Sequence, residues 1–454
     1  MPTNDPNGPM SSKQPIHADL RNAQYRNWAR FLNESESWTL SQIQDYQLTE
    51  LKRIIQYAYQ HTKAYRDLYD GAGVAPTSIQ TLHDIVKLPI LEKETVREHL
   101  EAFSVPLRNR SYVTTGGSTG IPFGFYRDSM SFSKELASKA HQYHRIGWRE
   151  GDRQLVLRGL PIESKNRMQF YPRFNELRCS SYYLLPDWME RYRQRALEYR
   201  PDWLRCYPSS GYLFAKFLKD SGRPFPPLKG VLCASENLYD FQKSKLQEIF
   251  HARVFSHYGH YEMAALAGFC EHEDTYHVLP QYGYAELIGP NGAPVNEPGQ
   301  RGEIVATSFI MQATPFIRYR TRDYATLKSI GCPSCGRPYP IWERLDGRLQ
   351  EFVVTSAGRL ISMTAINMHD DIFDHVRQFQ FLQEKIGALT FRFIPASTCR
   401  PEVVTAMKRG LLFKLGDDVT LDMQEVSEIP LTSRGKHRFL IQQLPLEIPE
   451  LLVK

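Results

Sequence analysis

The chain is 454 residues long, 42% hydrophobic and 23% charged, with 56 basic against 50 acidic side chains and a net charge of +6. An apolar fraction of this size excludes disorder for the bulk of the chain, and the scattered charges form no basic block of the kind that tracks a nucleic-acid backbone. No stretch approaches the roughly 18 apolar residues of a membrane helix, so neither nucleic-acid binding nor membrane insertion is expected, and the length predicts a large domain with a smaller companion.

The first 20 residues, "MPTNDPNGPMSSKQPIHADL", lack the apolar core of a signal peptide and are expected to form a flexible arm on a cytoplasmic protein. In "LTELKRIIQYAYQHTKAYRDLYDGAG", Leu51, Ile54, Ile55 and Tyr59 recur at helical spacing, and Gly71 to Gly73 end the run. "TTGGSTGIPF", Thr114 to Phe123, is a Gly- and hydroxyl-rich loop. "DSMSFSKELASKAHQYHRIGWREGD" reads as a helix capped by Asp128 or Ser129 and stopped at Gly147, and "RQLVLRGL" follows as a buried strand.

Short apolar runs then alternate with helical ones through "LKGVLCAS" and "RVFSHYG", the rhythm of crossover units and a largely parallel sheet. From Gly268 onward strands follow closely, with turns at "GPNG" and "EPGQRG", which predicts an antiparallel or barrel-like part. The last hundred or so residues read as a small strand-and-helix domain. The expected division is an arm at 1–20, a large α/β domain at 21–346, and a small mobile α+β domain at 347–454.

In the Gly-rich loop, Gly116, Gly117 and Gly120 would let backbone N–H groups approach phosphate oxygens, and Thr114, Thr115, Ser118 and Thr119 add hydroxyls. A solvent-exposed linker has the same composition. It is not a Walker loop, since Ile121, Pro122 and Phe123 stand where a Lys would have to follow Gly120. Seven cysteines, an odd number in a long chain, argue against a disulfide framework. "GCPSCGR" places Cys332 and Cys335 as a knuckle, and "FCEHEDTYHV" offers Cys270 with His277 or His272 across a hairpin, which predicts a structural zinc site. Free buried thiols and a redox dithiol are the alternatives. Cys179, Cys206, Cys233 and Cys399 sit in apolar runs and are expected in the core.

Taken in order, "TTGGSTGIPF" (114–123), "SHYGHYE" (256–262), "FIRYRTRD" (316–323), "DGRLQEF" (346–352) and "LTSRGKHRF" (431–439) resemble the signature motifs of the adenylate-forming (acyl-CoA synthetase-like) superfamily. The resemblance is to its phenylacetate-CoA ligase and CapK-like branch, and it runs from about residue 20 to the end. It implies that residues Thr114 to Gly120 wrap the β- and γ-phosphates of ATP, with Phe123 in place of a Lys found in many members. It likewise implies that Tyr258 walls the adenine, that Gly259, His260 and Tyr261 continue that motif, and that Glu262 ligates Mg²⁺. Tyr261 stands where the family has Thr, so the hydroxyl contact to the α-phosphate is either lost or rebuilt. Taken alone, Glu262 would read as a solvated acid at a helix start.

Ser235 and Glu236 of "CASEN" resemble the adenine-binding turn, and Asp323 resembles the acid that accepts both ribose hydroxyls. Arg322 stands where the family has Gly and adds positive charge. Arg348 resembles the Arg that contacts ribose or phosphate, Glu351 sits at the hinge of the small domain, and Lys436 is the implied catalytic cation. His257 and His260, with "RCYPSSGYLF", are expected near the acyl pocket. The activity so implied is ATP-dependent activation of a small carboxylic acid to an acyl-adenylate, then transfer to the thiol of coenzyme A. The alternatives are transfer to a sugar or amine in polysaccharide biosynthesis, and a nucleotide-binding scaffold without turnover. A homodimer is compatible with either.

Overall fold

The computed structural model describes residues 22–115, 123–160, 162, 167–348, 352–358, 360–363, 366, 375–432 and 437–444. These fall into two compact units. One lies within Gly151–Ser256 and Asp346–Lys454, the other within Ile16–Glu150 and His257–Leu345.

The second unit opens with α1 (Ala23–Ser35), α2 (Leu40–His61), α3 (Lys63–Gly71) and the short α4 (Lys93–Glu98). The periodic apolar residues predicted for α2 form its buried face: Leu51, Ile54 and Ile55 are wholly buried, each contributing roughly 1.5–3 kcal/mol. A capping box of Thr39 and Gln42 fixes its start. Thr62 breaks the long predicted run into α2 and α3, its extended backbone and side-chain cap on Tyr65 starting the new helix.

Strands β1 (Arg110–Thr115) and β2 (Phe123–Asp128) pair antiparallel, Thr114 opposite Gly124 and Thr115 opposite Phe123. The Gly-rich loop therefore joins two strands. Helix α5 (Ser129–His144) starts only after β2, capped by Asp128, whose Oδ1 accepts from the Ser131 amide at 2.8 Å. The helix N-terminus that would assist a phosphate loop is thus already satisfied by a carboxylate.

In the first unit the chain continues through β3 (Gln154–Arg158), β4 (Met168–Tyr171), β5 (Glu176–Ser180), α6 (Pro186–Tyr199), β6 (Trp203–Cys206), α7 (Pro208–Ser221), β7 (Gly230–Ala234) and α8 (Asp240–Phe250). β3, β5, β6 and β7 pair in parallel, as their near-continuous apolar runs require, and β4 alone is antiparallel on β5. Cys179, Cys206 and Cys233 are wholly buried in this core.

β8 (Arg253–Gly259) carries the chain into the second unit, where its last three residues pair with β9 (Leu266–Phe269). There β10 (Tyr276–Val278), β11 (Gly283–Ile288), β12 (Arg301–Ser308), β13 (Tyr319–Ile330) and β14 (Pro340–Arg348) follow. Their order is β11-β12-β13-β14-β10-β9 with antiparallel pairs. The barrel-like expectation gives way to an open antiparallel run with β11 at its edge.

After Asp346 the chain returns to the first unit. β15 (Phe352–Val354) and β16 (Leu360–Ser362) form a hairpin. β17 (Val376–Lys385), β18 (Ala388–Pro395), α9 (Pro401–Leu415), β19 (Thr420–Glu425) and β20 (Leu440–Gln442) make a four-stranded sheet, β19-β18-β17-β20, with one helix. This is the small α/β module expected at the end of the chain. Its core of Phe379, Phe381, Phe391 and Leu411 merges with Tyr212, Leu213, Tyr239 and Phe241 of α7 and the α8 approach.

Candidate active site

The motif "SHYGHYE" lies at the end of β8 and in the turn that follows. Pairing puts His257 opposite Gly268, Tyr258 opposite Ala267 and Gly259 opposite Leu266. Gly259 is hemmed in, since a Cβ there would stand 3.1 Å from Leu266 Cδ1. His257 Nδ1 meets the Tyr143 hydroxyl at 2.8 Å, while Tyr261 is 53% exposed.

Glu262 is not a solvated acid at a helix start. It is buried in a turn, its Oε1 accepting from the Tyr319 hydroxyl at 2.9 Å and its Oε2 lying 3.2 Å from His260 Nδ1. The Ala265 amide donates to His260 Nε2 at 3.3 Å, which leaves the ring proton on Nδ1, aimed at the carboxylate. Burial alone would raise the carboxyl's pKa. The His260 hydrogen bond and the charge of Lys93 outweigh it and hold Glu262 down at about 2, so it is ionised at neutral pH. A buried, ionised carboxylate is a donor that a hard divalent cation such as Mg²⁺ accepts.

Sixty-odd residues further on, "FIRYRTRD" reaches the same place. Asp323 Oδ2 accepts from the Tyr258 hydroxyl at 2.9 Å, and its amide donates to Thr321 Oγ1 at 3.1 Å. Trp342 on β14 stands edge-on to the Tyr258 ring with centroids 5.7 Å apart, fixing the ring's tilt. Arg322 occupies the left-handed region at φ 63°, strained for a side-chain-bearing residue. Its guanidinium is engaged by Glu94 at 2.6 Å and Glu92 at 3.5 Å, so its charge is met within the protein.

One residue outside the sequence argument, Lys93, completes this cluster. Phe123, wholly buried, lies nearly parallel to Tyr319, and Lys93 at the start of α4 holds its ammonium 5.0 Å above the Phe123 ring. Lys93 thus brings a cation to the neighbourhood of the Phe that stands in place of the loop Lys. Tyr319 was visible inside "FIRYRTRD", whereas nothing in "LEKE" marked Lys93.

In the first unit, Ser235 and Glu236 follow β7. Ser235 is left-handed at φ 70° and accepts from Arg158 Nη2 at 2.8 Å, and Arg158 lies 4.9 Å over the Tyr207 ring. Glu236 accepts from the Ser209 amide at 3.0 Å and its hydroxyl at 3.1 Å, so it caps the first turn of α7.

Thr114 and Thr115 end β1. Gly116, Gly117, Ser118, Thr119, Gly120, Glu351 and Lys436 lie outside the described residues, as does the 1–20 arm, and Arg348 is described only as the last backbone position of β14. The second unit also draws together Cys270, His277, Cys332 and Cys335, whose ligand atoms all lie within 4.8 Å of one another. His272 contributes its backbone amide, which donates to Cys270 Sγ at 3.3 Å. No described helix is long and apolar enough to cross a membrane.

Comparison with known proteins gives a consistent picture. The CapK C-terminal domain family matches residues 353–443. Protein CapK of Staphylococcus aureus is 21% identical over 402 residues, covering 86% of each chain. The phenylacetate-coenzyme A ligase of Pseudomonas putida is 24% identical over 334 residues, covering 71% of this chain and 74% of its own. Among solved structures, a 2-hydroxyisobutyryl-CoA ligase in the postadenylation state has the same fold, with a TM-score of 0.75 over 90% of this chain and 92% of its own at 19% identity.

Proposed function

We propose that this chain, a member of the adenylate-forming superfamily on its phenylacetate-CoA ligase and CapK-like branch, is an AMP-forming acid–thiol ligase. The observation that carries the reading is the convergence of two distant motifs. Tyr258 and Asp323 share a hydrogen bond beside a buried, ionised Glu262.

In the first step a substrate carboxylate oxygen attacks the α-phosphorus of ATP, pyrophosphate leaves, and an acyl-adenylate remains. In the second the thiol of coenzyme A attacks the acyl carbonyl and AMP leaves. Asp323 would accept the ribose hydroxyls and Tyr258 would flank the adenine while holding Asp323 in place. Glu262 would hold Mg²⁺, which when bound neutralises phosphate charge. Lys93 would supply a cation in place of the absent loop Lys, while Lys436, Ser235, Glu236, Arg348 and residues 114–120 are each proposed for the nucleotide-contacting role that the motif resemblance implies. Catalysis is then mostly positioning and charge neutralisation.

Residues 347–454 would turn about Glu351 between the steps. Contacts such as those of Phe379 and Phe439 with Phe241 would have to part and re-form, which makes that motion the slow step.

ATP–pyrophosphate exchange over a panel of aryl, short aliphatic and sugar-derived carboxylates tests the reading, with Asp323→Asn and Lys436→Ala as controls. Exchange with one acid class, lost in Lys436→Ala, is expected. Nucleotide binding without exchange for any acid would favour the scaffold. Sugars and amines are tested beside coenzyme A as acceptors.

A further inference from the structure

We propose that Cys270, His277, Cys332 and Cys335 form a structural zinc site, a Cys₃His tetrahedron that bolts the β9–β10 hairpin to the loop between β13 and β14. The residues come from two hairpins that local structure alone would not join. Cys270 directly follows β9 and its amide donates to the Thr275 carbonyl at 3.2 Å, closing the turn that returns the chain to His277 on β10. Cys332 and Cys335 sit in the β13–β14 connection, where the Gly336 amide donates to the Cys332 carbonyl at 2.8 Å and Gly336 takes φ +75°, a tight turn that suits glycine.

The distances fit one ion. A tetrahedron with Zn–S bonds of about 2.3 Å has ligand–ligand edges of ~3.8 Å. All ligand atoms here lie within 4.8 Å of one another, and Cys335 Sγ is 3.4 Å from His277 Nε2. Three cysteines and a histidine meeting at one point exceed what a single disulfide uses.

The surrounding groups are those of a metal site. His277 Nδ1 lies 3.2 Å from the Thr275 carbonyl, which holds the ring with Nε2 toward the thiols. The His272 amide points at Cys270 Sγ from 3.3 Å, so the backbone turns toward this sulfur. Cys270, His277 and Cys332 are buried, with Ile341 packed against the two thiols. Zinc with three thiolates leaves one net negative charge. Close by, Arg337 spans Glu271 and Glu36 and brings a guanidinium to that side. Binding is balanced by release of one proton from each of the three thiols.

The site has a structural consequence. β10 pairs with β14, His277 opposite Ile341 and Tyr276 opposite Trp342, and Trp342 backs Tyr258. The ion would therefore hold the strand that supports the tyrosine proposed beside the adenine, without touching substrate.

The test uses the full chain, untagged and dialysed against chelator-free buffer. Elemental analysis is expected to find one zinc per chain, released as p-hydroxymercuribenzoate titrates its thiols. Denatured protein without reductant should expose all seven thiols. Cys332→Ser and Cys335→Ser should retain less than a tenth of the zinc. Should both variants fail to fold, the wild-type zinc content and thiol count still decide. Absence of stoichiometric metal, iron in place of zinc, or a denatured thiol count two short of seven would each overturn the proposal.

Discussion

The two units bury their interiors with different chemistry. In the unit of Gly151–Ser256 and Asp346–Lys454 the cluster that closes the last hundred residues is hydrocarbon, with Phe379, Phe381, Phe391, Phe439 and Leu411 on one side and Tyr212 and Phe241 on the other, while its buried Glu176 is held by Arg178 and Arg205 elsewhere. The unit of Ile16–Glu150 and His257–Leu345 also buries Glu262, a bidentate Glu286–Arg318 pair and the Cys₃His cluster. Hydrocarbon contacts are non-directional and tolerate exchange among similar volumes. Buried polar groups depend on a few named partners, and losing one leaves a desolvated group unsatisfied. The second unit is therefore expected to be the specific and fragile one.

The largest effect that would break this contrast is at Glu286. Glu286→Ala leaves the Arg318 guanidinium buried with its remaining acceptors, the Val86 and Leu88 carbonyls, and is expected to cost about 3–5 kcal/mol in urea unfolding. Leu411→Met in the other core should cost less than about 1.5 kcal/mol. Equal losses would remove the distinction.

Next comes Glu262→Ala, which removes the acceptor of both Tyr319 and His260. Pyrophosphate exchange should fall by about 10²-fold or more, with a separate stability loss of about 1–3 kcal/mol. Full exchange in a folded variant would take Glu262 out of the site.

Acid probes both units through buried imidazoles, His437 in one and His141 in the other. Burial pushes His437 down to about 4, opposed by its hydrogen bond to the Phe379 carbonyl. Burial, aided by Arg145 and opposed by Glu36, pushes His141 down to about 3. Each is neutral in the fold yet takes up a proton near pH 6.5 once unfolded. Stability is undiminished above pH 6.5 and falls as pH drops from there toward 4 for His437 and toward 3 for His141, by on the order of 3 and 5 kcal/mol at most. His437→Gln should flatten that part of the stability–pH curve, and an unchanged slope would exclude His437 as a source.

The smallest effect expected is that of Tyr258→Phe. It deletes one hydrogen bond of 2.9 Å to Asp323, worth about 1 kcal/mol, and should raise the KM for ATP roughly fivefold with stability little changed. A fall in kcat alone would mean that Tyr258 does not act through nucleotide binding.

Much of this was legible in the chain. The buried face of α2, the Asp128 cap, the parallel rhythm of β3, β6 and β7, and the order of five motifs follow from local periodicity and side-chain chemistry, which act over a few residues. The CxxC spacing and the hairpin around residues 270–277 even named the three cysteines that meet and narrowed the fourth group to His277 or His272. Less legible were Lys93 over Phe123, the engagement of Arg322 by Glu92 and Glu94, and the capping of α7 by Glu236. Each depends on a pairing between residues 27 or more positions apart that no local pattern announces.

By itself, then, the sequence determined the element types, the family resemblance and which residue types were available for chemistry. The tertiary structure alone decided which were buried, ionised or partnered. It made Glu262 a buried carboxylate held by His260 and Tyr319, placed Asp323 on Tyr258, and chose His277 over His272 beside the thiols. The physical reason is that burial and hydrogen-bond partnership are properties of the whole packed chain, set by strand register and crossover, whereas periodicity is written within a few residues.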